Sequence, residues 1–181
     1  ADKTIIYKQG INVTAITSAV NATIYLNGTI ANASTSTIAI HYNTSLPAGK
    51  FNFTAVNPGH ENYTGNYTTW WLTVAKASSE ANLLLNGTDG NLSVNVSSGI
   101  NITGLLVTGS GNLDLYQNGT LLNSSASPVQ NLTTLSTISM YNFTVVYNET
   151  SNYNSSFETH WLNVTDAVPP ASSNPTESPA D

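Results

Sequence analysis

The residues of this sequence whose types and spacing could carry chemistry are asparagines followed two positions later by Ser or Thr. Asn-x-Ser/Thr, with x other than Pro, is the acceptor signal for N-linked glycosylation, in which a sugar is joined to the side-chain amide nitrogen. Ser and Thr fill about a quarter of the positions, so chance predicts about six such triplets among 24 Asn, whereas the sequence has 19. The excess predicts a densely glycosylated surface. The predicted acceptors are Asn12, Asn21, Asn27, Asn32, Asn43, Asn52, Asn62, Asn66, Asn86, Asn91, Asn95, Asn101, Asn118, Asn123, Asn131, Asn142, Asn148, Asn154 and Asn163.

The middle residue of ten triplets is apolar or aromatic, which connects the acceptor signal to strand structure. On a β-strand, residues i and i+2 share one face, and residue i+1 points to the other. Asn and Thr then face solvent while the middle residue enters the core. The ten residues predicted to point inward are Val13, Phe53, Tyr63, Tyr67, Leu92, Val96, Ile102, Leu132, Phe143 and Val164.

Three other triplets read Asn-Gly-Thr and begin at Asn27, Asn86 and Asn118. Asn-Gly is the favoured pair for a two-residue hairpin turn, because both residues take a positive φ. These triplets therefore predict tight turns between paired strands.

Other arrangements that could bind metals or catalyse reactions are sparse. The chain has no Cys and no Gly-x-Ser-x-Gly turn for a nucleophilic serine. His60 and Glu61 are adjacent, but without further ligands we expect a solvated loop. Asp89, in NGTDGN, could bind calcium, although a Gly-rich turn explains it equally well. We expect no enzyme, no catalytic residue, no metal, and no cofactor besides covalent N-linked glycans.

The composition excludes several classes of partner. Charged residues make up 8% of the chain, with four Lys, no Arg and a net charge of −6, so clustered cations for nucleic acid are missing. No apolar run approaches the roughly 20 residues of a membrane helix, so we expect no membrane span. A chain that starts at Ala1 and carries no leader fits a mature secreted protein.

The sequence contains two copies of one unit, at residues 10–77 and 99–167. Phe51–Ala77 aligns with Tyr141–Ala167 without a gap, at an offset of 90, with 11 identities in 27 residues. Upstream, GINVT matches GINIT, and NATIYLNGT matches NLDLYQNGT. The repeat predicts two similar domains in tandem.

Each copy contains short alternating segments, which in the first are INVTAIT, TIYLN, STIAIHYN, KFNFTAV and TTWWLTV. Short strands with turn signals and no helical periodicity predict an all-β fold of two tandem immunoglobulin-like β-sandwich domains with Greek-key connections. The predicted organisation is an N-terminal strand at 1–9, domain 1 at 10–77, domain 2 at 78–167, and a Pro/Ser-rich tail at 168–181. The tail is predicted to be polyproline II or linker.

The segment from Leu46 to Val74 resembles the last two strands of the immunoglobulin-like repeats of prokaryotic surface proteins. The shared features are Pro47-Ala48-Gly49, Thr54-Ala55, Gly59-His60-Glu61-Asn62-Tyr63 and Thr73-Val74. Few charges, no Cys and dense acceptor triplets also resemble the glycosylated thread filaments of thermoacidophilic archaea. That second resemblance implies subunits joined head to tail, with an N-terminal strand of one completing the sheet of the next.

The segments that precede the two copies differ in length, and this difference is relevant to such a head-to-tail assembly. EANLLLNGT and NLSVNVS precede the second copy, whereas ADKTIIYKQ alone precedes the first. Domain 1 is therefore either one strand smaller or lacks a strand that a partner supplies. The residues predicted to enter a neighbouring subunit are Thr4, Ile5, Ile6, Tyr7 and Lys8. The alternative is that residues 3–8 form the first strand of their own domain.

The orientation of the tryptophan side chains can be predicted from the alternation of faces along the strand that contains Val164. If Asn163 and Thr165 face solvent, Trp161 does so too, and the repeat transfers this orientation to Trp71. Trp70, Leu72 and Val74 are then predicted to be core. The alternative is a β-bulge that turns the outward tryptophans inward.

These observations together predict a structural subunit of a heavily N-glycosylated, pilus-like extracellular filament made of identical chains at the cell surface. The alternative is an adhesin or surface-layer module that binds foreign glycan. A secreted glycoside hydrolase would instead require two carboxylates facing a cleft within about 10 Å of each other.

Overall fold

The computed structural model of the chain describes residues 1–18 and 20–166, so the predicted tail at 168–181 lies outside the described residues. Within those two ranges the chain is all-β, with sixteen strands and no helix. The strands are β1 (Lys3–Ile6), β2 (Ile11–Ile16), β3 (Thr23–Leu26), β4 (Thr29–Ala33), β5 (Ile38–Asn43), β6 (Gly49–Asn57), β7 (Asn66–Ala75), β8 (Glu80–Leu85), β9 (Thr88–Asp89), β10 (Leu92–Asn95), β11 (Gly99–Thr108), β12 (Asn112–Gln117), β13 (Thr120–Ala126), β14 (Val129–Thr134), β15 (Met140–Tyr147) and β16 (Ser156–Thr165).

The chain divides into two compact units, each built around one copy of the repeat. Unit 1 comprises Ala1–Ser79 together with Thr108–Ser110 and Asn148–Ser156. Unit 2 comprises Glu80–Val107, Gly111–Tyr147 and, among the described residues, 157–166. Two short segments of the second copy therefore belong to unit 1.

Unit 1 consists of a five-stranded sheet in the order β1-β7-β6-β3-β4 and a two-stranded sheet of β2 and β5. β1 runs parallel to β7, whereas the pairs β2–β5, β3–β4, β3–β6 and β6–β7 are antiparallel. Both sheets contribute alternate side chains to one core. That core consists of Ile5, Ile11, Ala15, Ala22, Ile24, Ala39, Phe53, Leu72 and Val74.

Unit 2 repeats this arrangement with a larger second sheet. Its five-stranded sheet has the order β10-β16-β15-β12-β13, and β10 runs parallel to β16 as β1 does to β7. The second sheet has four strands in the order β14-β11-β8-β9. The prediction of immunoglobulin-like β-sandwiches is thus confirmed, and unit 2 has one hairpin, β8–β9, that unit 1 lacks among the described residues.

The strand parity predicted from the triplets holds for seven of the ten middle residues. Phe53 and Phe143 occupy equivalent core positions, with exposed fractions of 6% and 0%. Ile102 and Val164 are also buried. The other three middle residues for which the prediction holds are half-buried: Val13, Leu92 and Val96.

The prediction is wrong for Tyr63, Tyr67 and Leu132, whose side chains are exposed. Leu132 points outward because the inward face of β14 starts at Val129 and continues through Asn131. Tyr63 lies in the loop before β7. Tyr67 pairs with Val56 in the same unbroken register in which Phe53 pairs with Trp70, so Tyr67 lies on the outer face of β7 with Trp71.

The three Asn-Gly turns are confirmed. Asn27, Asn86 and Asn118 have φ angles of 48°, 48° and 47°, and the glycine that follows each has a φ of 80° to 82°. Two consecutive positive φ angles define the type I′ turn that matches the twist of a β-hairpin. These turns join β3 to β4, β8 to β9 and β12 to β13.

Candidate subunit interface and glycan acceptors

The most distinctive feature of unit 1 is an open strand edge. β2 pairs with β5 on one side, and on the other side it pairs with no strand among residues 1–18 and 20–166. The equivalent strand of unit 2, β11, pairs with β14 on one side and with β8 on the other. An open edge presents unpaired backbone N–H and C=O groups that another strand can bind.

A groove lies along this open edge. Two cavities, of about 350 and about 190 Å³, are both lined by Val13, Phe53 and Trp70. The larger cavity extends past Ile16 to Tyr67. The groove thus combines an unpaired strand edge with an apolar and aromatic floor.

In unit 2, β8 occupies the corresponding position. Ala81, Leu83 and Leu85 alternate along this strand and are all buried in the core. The backbone N–H of Leu83 donates a hydrogen bond to Oε2 of Glu158 on β16, over 2.6 Å. Unit 2 therefore shows what a strand in this position looks like: small or aliphatic side chains on every second residue.

Trp70 is a correction to the sequence prediction. Its side chain lies on the inward face of β7, as predicted, but 49% of it is exposed and it is not part of the core. The equivalent residue of unit 2, His160, is only 9% exposed, because the sheet that contains β8 and β9 covers it. Trp70 is exposed because no strand of the described part of unit 1 lies beside β2.

Trp71 and Trp161 face outward, as the parity argument predicts. The pairing of β6 with β7 is regular from Gly49 to Asn57, so the alternative of a bulge that turns Trp71 inward is wrong. Nζ of Lys50 lies 4.9 Å from the ring centroid of Trp71, within the range of a cation–π contact.

The residues predicted to enter a neighbouring subunit are placed in their own unit. Thr4, Ile5 and Ile6 pair with β7, Ile5 is buried in the core, and the N–H of Tyr7 donates to the carbonyl of Ala75. This is the alternative arrangement considered from the sequence. The interface role of Thr4–Lys8 stays a prediction, and it requires β1 to leave β7.

The end of this segment is fixed by aromatic contacts within unit 1. The rings of Tyr7 and Tyr153 meet edge to face at 5.4 Å, and Nζ of Lys8 lies 5.6 Å from the Tyr153 centroid. A hydrogen bond with the Tyr153 side chain raises the pKa of Lys8, which is fully exposed, above its usual value.

The structure places none of the 19 predicted acceptors in a core. Thirteen are exposed and six are half-buried. Their occupancy by sugar stays a prediction, and the thirteen exposed acceptors lie where an N-linked glycan could project from the fold. The six half-buried acceptors are Asn32, Asn43, Asn52, Asn123, Asn131 and Asn142.

The three predicted acceptors in the Asn-Gly turns, called the turn acceptors here, also form hydrogen bonds with the backbone of a neighbouring strand. Oδ1 of Asn27, Asn86 and Asn118 accepts the backbone N–H of Asn52, Asn101 and Asn142, respectively, over 2.8 to 2.9 Å. An N-glycosylated asparagine keeps Oδ1, so these bonds are compatible with a sugar on the nitrogen.

Unit 2 contains one cluster of potential metal ligands that the sequence did not reveal. One ligand atom each of Asp89, Glu158 and His160 lie within 4.8 Å of one another. Nε2 of His160 is 3.2 Å from Oδ1 of Asp89 and 3.9 Å from Oε1 of Glu158. These residue types suit a divalent cation such as zinc.

Protein contacts already account for this cluster. Glu158 accepts from Leu83, and Asp89 pairs with His160, so the three side chains tie β8 and β9 to β16. Neither cavity described above includes the two carboxylates. Asp89 is 71 positions from His160, so spacing alone could not have brought them together. His60 and Glu61 are exposed in the loop before β7, as expected.

Comparison with known proteins finds solved structures of similar architecture. The fibronectin(III)-like modules of Clostridium thermocellum CbhA are 15% identical, with a TM-score of 0.39 over 92% of this chain and 91% of that chain. A chimeric titin Z1Z2-Z1Z2 tandem is 11% identical, with a TM-score of 0.37 over 91% of this chain and 95% of that chain. No family model matches this chain, and neither does any curated protein. At these identities no function is transferred.

Among the described residues, no helix has the length and apolar character needed to span a bilayer.

Proposed function

We propose that the protein is a structural subunit of a glycosylated extracellular filament, in which identical chains join head to tail by inserting a strand beside β2. The observation that supports this most directly is the open edge of β2 above the exposed side chain of Trp70. β8 occupies the same position in unit 2, so the fold accommodates a strand there.

Strand insertion is favourable for two reasons. The backbone groups of the β2 edge gain hydrogen-bond partners, and every apolar side chain that enters the groove contributes on the order of 1.5–3 kcal/mol. The donated segment and the groove are different surfaces, so the contact is heterologous. Such contacts extend into a fibre when rotation does not close a ring.

Two segments of a second copy are candidates for the inserted strand. Thr4–Lys8 has the larger apolar side chains, but in the single chain it pairs with β7. The tail is a candidate because of its position in the sequence. In the repeat register of 90, residues 170–175 follow β16 as Glu80–Leu85, the residues of β8, follow β7. Truncation distinguishes them. Removing residues 1–9 abolishes filaments if the N-terminal segment inserts, and removing residues 168–181 does so if the tail inserts.

The groove itself is tested by a matched pair of substitutions on adjacent residues of β7. Trp70→Glu places a carboxylate in the groove and should abolish filaments in electron micrographs. Trp71→Glu places the same charge on the opposite face and should leave them intact. Both variants must keep the β-sheet circular dichroism of the parent. Normal filaments from Trp70→Glu would show that strand insertion beside β2 is not the link.

Glycosylation is the second part of the proposal. Exposed Asn-x-Ser/Thr triplets cover both units, and their sugars supply the solubility that a chain with 8% charged residues lacks. The expected location is outside the cell, on its surface. Intact-mass spectrometry of native material should give a mass well above 19.1 kDa, and a mass equal to the bare chain would refute the coat.

A second candidate, a module that binds foreign glycan, is favoured by the aromatic lining of the same groove. Trp70 and Phe53 line the larger cavity together with Asn57 and Asn66. Aromatic faces flanked by amides are suited to stacking on sugar rings and hydrogen-bonding their hydroxyls. Calorimetric titration of the monomer with oligosaccharides tests this candidate, since a strand-accepting groove should show no saturable binding of soluble sugars.

A further inference from the structure

Two of the predicted acceptors, Asn32 and Asn123, use the side-chain nitrogen in a hydrogen bond. Nδ2 of Asn32 on β4 donates to the carbonyl oxygen of Ile40 on β5. Nδ2 of Asn123 on β13 donates to the carbonyl oxygen of Gln130 on β14, over 2.8 Å. The two asparagines occupy equivalent positions of the repeat, so the bond has been kept in both copies.

These bonds join the two sheets of each unit. β4 and β13 are edge strands of the five-stranded sheets, whereas β5 and β14 belong to the smaller sheets. A carbonyl oxygen can only accept, so the amide group must present its nitrogen to it. The orientation of both side chains is therefore set by the chemistry of the partner.

The nitrogen in these bonds is the atom to which a sugar would be joined. Linkage replaces one of its hydrogens and places a bulky ring at the junction of the sheets. Both side chains are half-buried, which leaves little room for such a ring. The turn acceptors Asn27 and Asn118 differ on both counts, because they are exposed and bond through Oδ1.

We propose that Asn32 and Asn123 are not glycan acceptors in the folded protein but unmodified clamps between the sheets of each unit. This inference rests on the glycosylation proposed above, and it divides the 19 triplets into two structural ones and a set available to the sugar coat. The dense acceptor signal is then not uniform, because two of its members are retained for the amide group itself.

The test uses two substitutions that destroy the same triplet. Asn123→Leu removes the amide at nearly constant size, whereas Ser125→Ala removes the hydroxyl that the acceptor signal requires and keeps the amide. Thr120→Ala, which destroys the triplet at Asn118, is the control for loss of an exposed acceptor. All three are made in the full chain, purified from the native host, and compared by glycopeptide mass spectrometry and thermal unfolding.

A clamp predicts that Ser125→Ala changes neither the glycan mass nor Tm, and that Asn123→Leu keeps the glycan mass but lowers Tm by about 4–8 °C. Thr120→Ala should lose the mass of one glycan. A sugar found on Asn32 or Asn123 of the parent overturns the inference while leaving the coat intact. Equal Tm values for Asn123→Leu and Ser125→Ala overturn the clamp. If no site carries sugar, including Asn118, the proposed coat fails, and the Tm comparison still decides the clamp.

Discussion

Unit 1 and unit 2 are built on the same strand pattern and differ mainly in what lies against the inner face of the last strand. At equivalent positions of that strand, unit 1 has the half-exposed Trp70 and unit 2 has the buried His160. The difference arises from β8, which completes the second sheet of unit 2. A residue's burial in this fold is thus set by a strand elsewhere in the sequence, and the parity of its own strand is not sufficient.

A second difference lies in how the two cores distribute volume. Ala15 and Ala39 face each other across β2 and β5, whereas Gly104 and Val129 face each other across β11 and β14. Each unit thus reaches close packing by a different pairing of sizes. Exchanging single residues between the two copies therefore tests how far their cores differ.

The largest expected effect is the loss of the shared phenylalanine. Phe143→Ala should lower the free energy of unfolding by about 3–5 kcal/mol, because it leaves a cavity in a closed core. Phe53→Ala should cost less, because Phe53 already borders the groove and loses fewer contacts. Urea unfolding of the two variants, followed by tryptophan fluorescence, measures both costs. Equal costs would show that the groove does not weaken the core of unit 1.

Much of this comparison was accessible from the sequence. The repeat and the alternation around Phe53 and Phe143 predict the two sandwiches. The longer segment before the second copy predicts the additional strand of unit 2. These signals are local, because strand parity depends on neighbouring residues and the turns depend on Asn-Gly pairs.

The failures concern contacts between residues far apart in the chain. Trp70 is predicted to be core, but its exposure depends on the second sheet, in which no strand among the described residues lies beside the open edge of β2. Tyr67 is misplaced because the register of β7 against β6 puts Asn66 and Thr68 on the inner face and Tyr67 on the outer face. The cluster of Asp89, Glu158 and His160 assembles from segments about 70 positions apart. Leu132 was misplaced because its triplet looks like the others, while the register of β14 against β11 turns it outward.

The next effect comes from exchanging the residues at the last strand. His160→Trp should destabilise unit 2 by about 1–3 kcal/mol, because the larger ring does not fit beneath the strands that cover His160 and the contact with Asp89 is lost. Trp70→His should change the stability of unit 1 by less than about 1 kcal/mol, since half of the indole is already in solvent. Thermal unfolding of both variants checks the asymmetry. A larger cost for Trp70→His would mean that Trp70 is packed more tightly than its exposure indicates.

A smaller effect is expected from exchanging the small residues of the two cores. A Cβ at Gly104 would lie 2.6 Å from Cγ2 of Val145 and 2.8 Å from Cγ1 of Val129, so Gly104→Ala should cost about 1–2 kcal/mol through overpacking. Ala15→Gly, the reverse exchange in unit 1, should cost about 1–2 kcal/mol, because it adds backbone freedom to the unfolded chain and removes a buried methyl group from the core. The closer clash is with Val145, which corresponds to Ala55 of unit 1 in the repeat register of 90, so Gly104→Ala should destabilise less in a Val145→Ala background than in the parent. An equal cost of Gly104→Ala in both backgrounds, measured by urea unfolding, would show that the clash with Val145 is not its cause.

The smallest expected effect is the contribution of Lys8 to the thermal stability of unit 1, which should be lost at alkaline pH. Lys8 and its counterpart Ser97 both adopt a positive φ, of 72° and 64°, so Lys8→Ser copies unit 2 at a compatible backbone. The hydrogen bond with Tyr153 raises the pKa of Lys8 above 10.5 in the folded chain. A cation whose pKa is raised by folding stabilises the fold fully below its unfolded pKa, and this contribution is lost as pH rises through the folded pKa. Because Lys8 is fully exposed, salt should screen the contribution. The Tm difference between the parent and Lys8→Ser should therefore be small near neutral pH and should vanish as the pH rises from about 10 through the raised pKa of Lys8. A difference that persists unchanged through that range would show that Lys8 acts by packing on Tyr7 and Tyr153 and not by its charge.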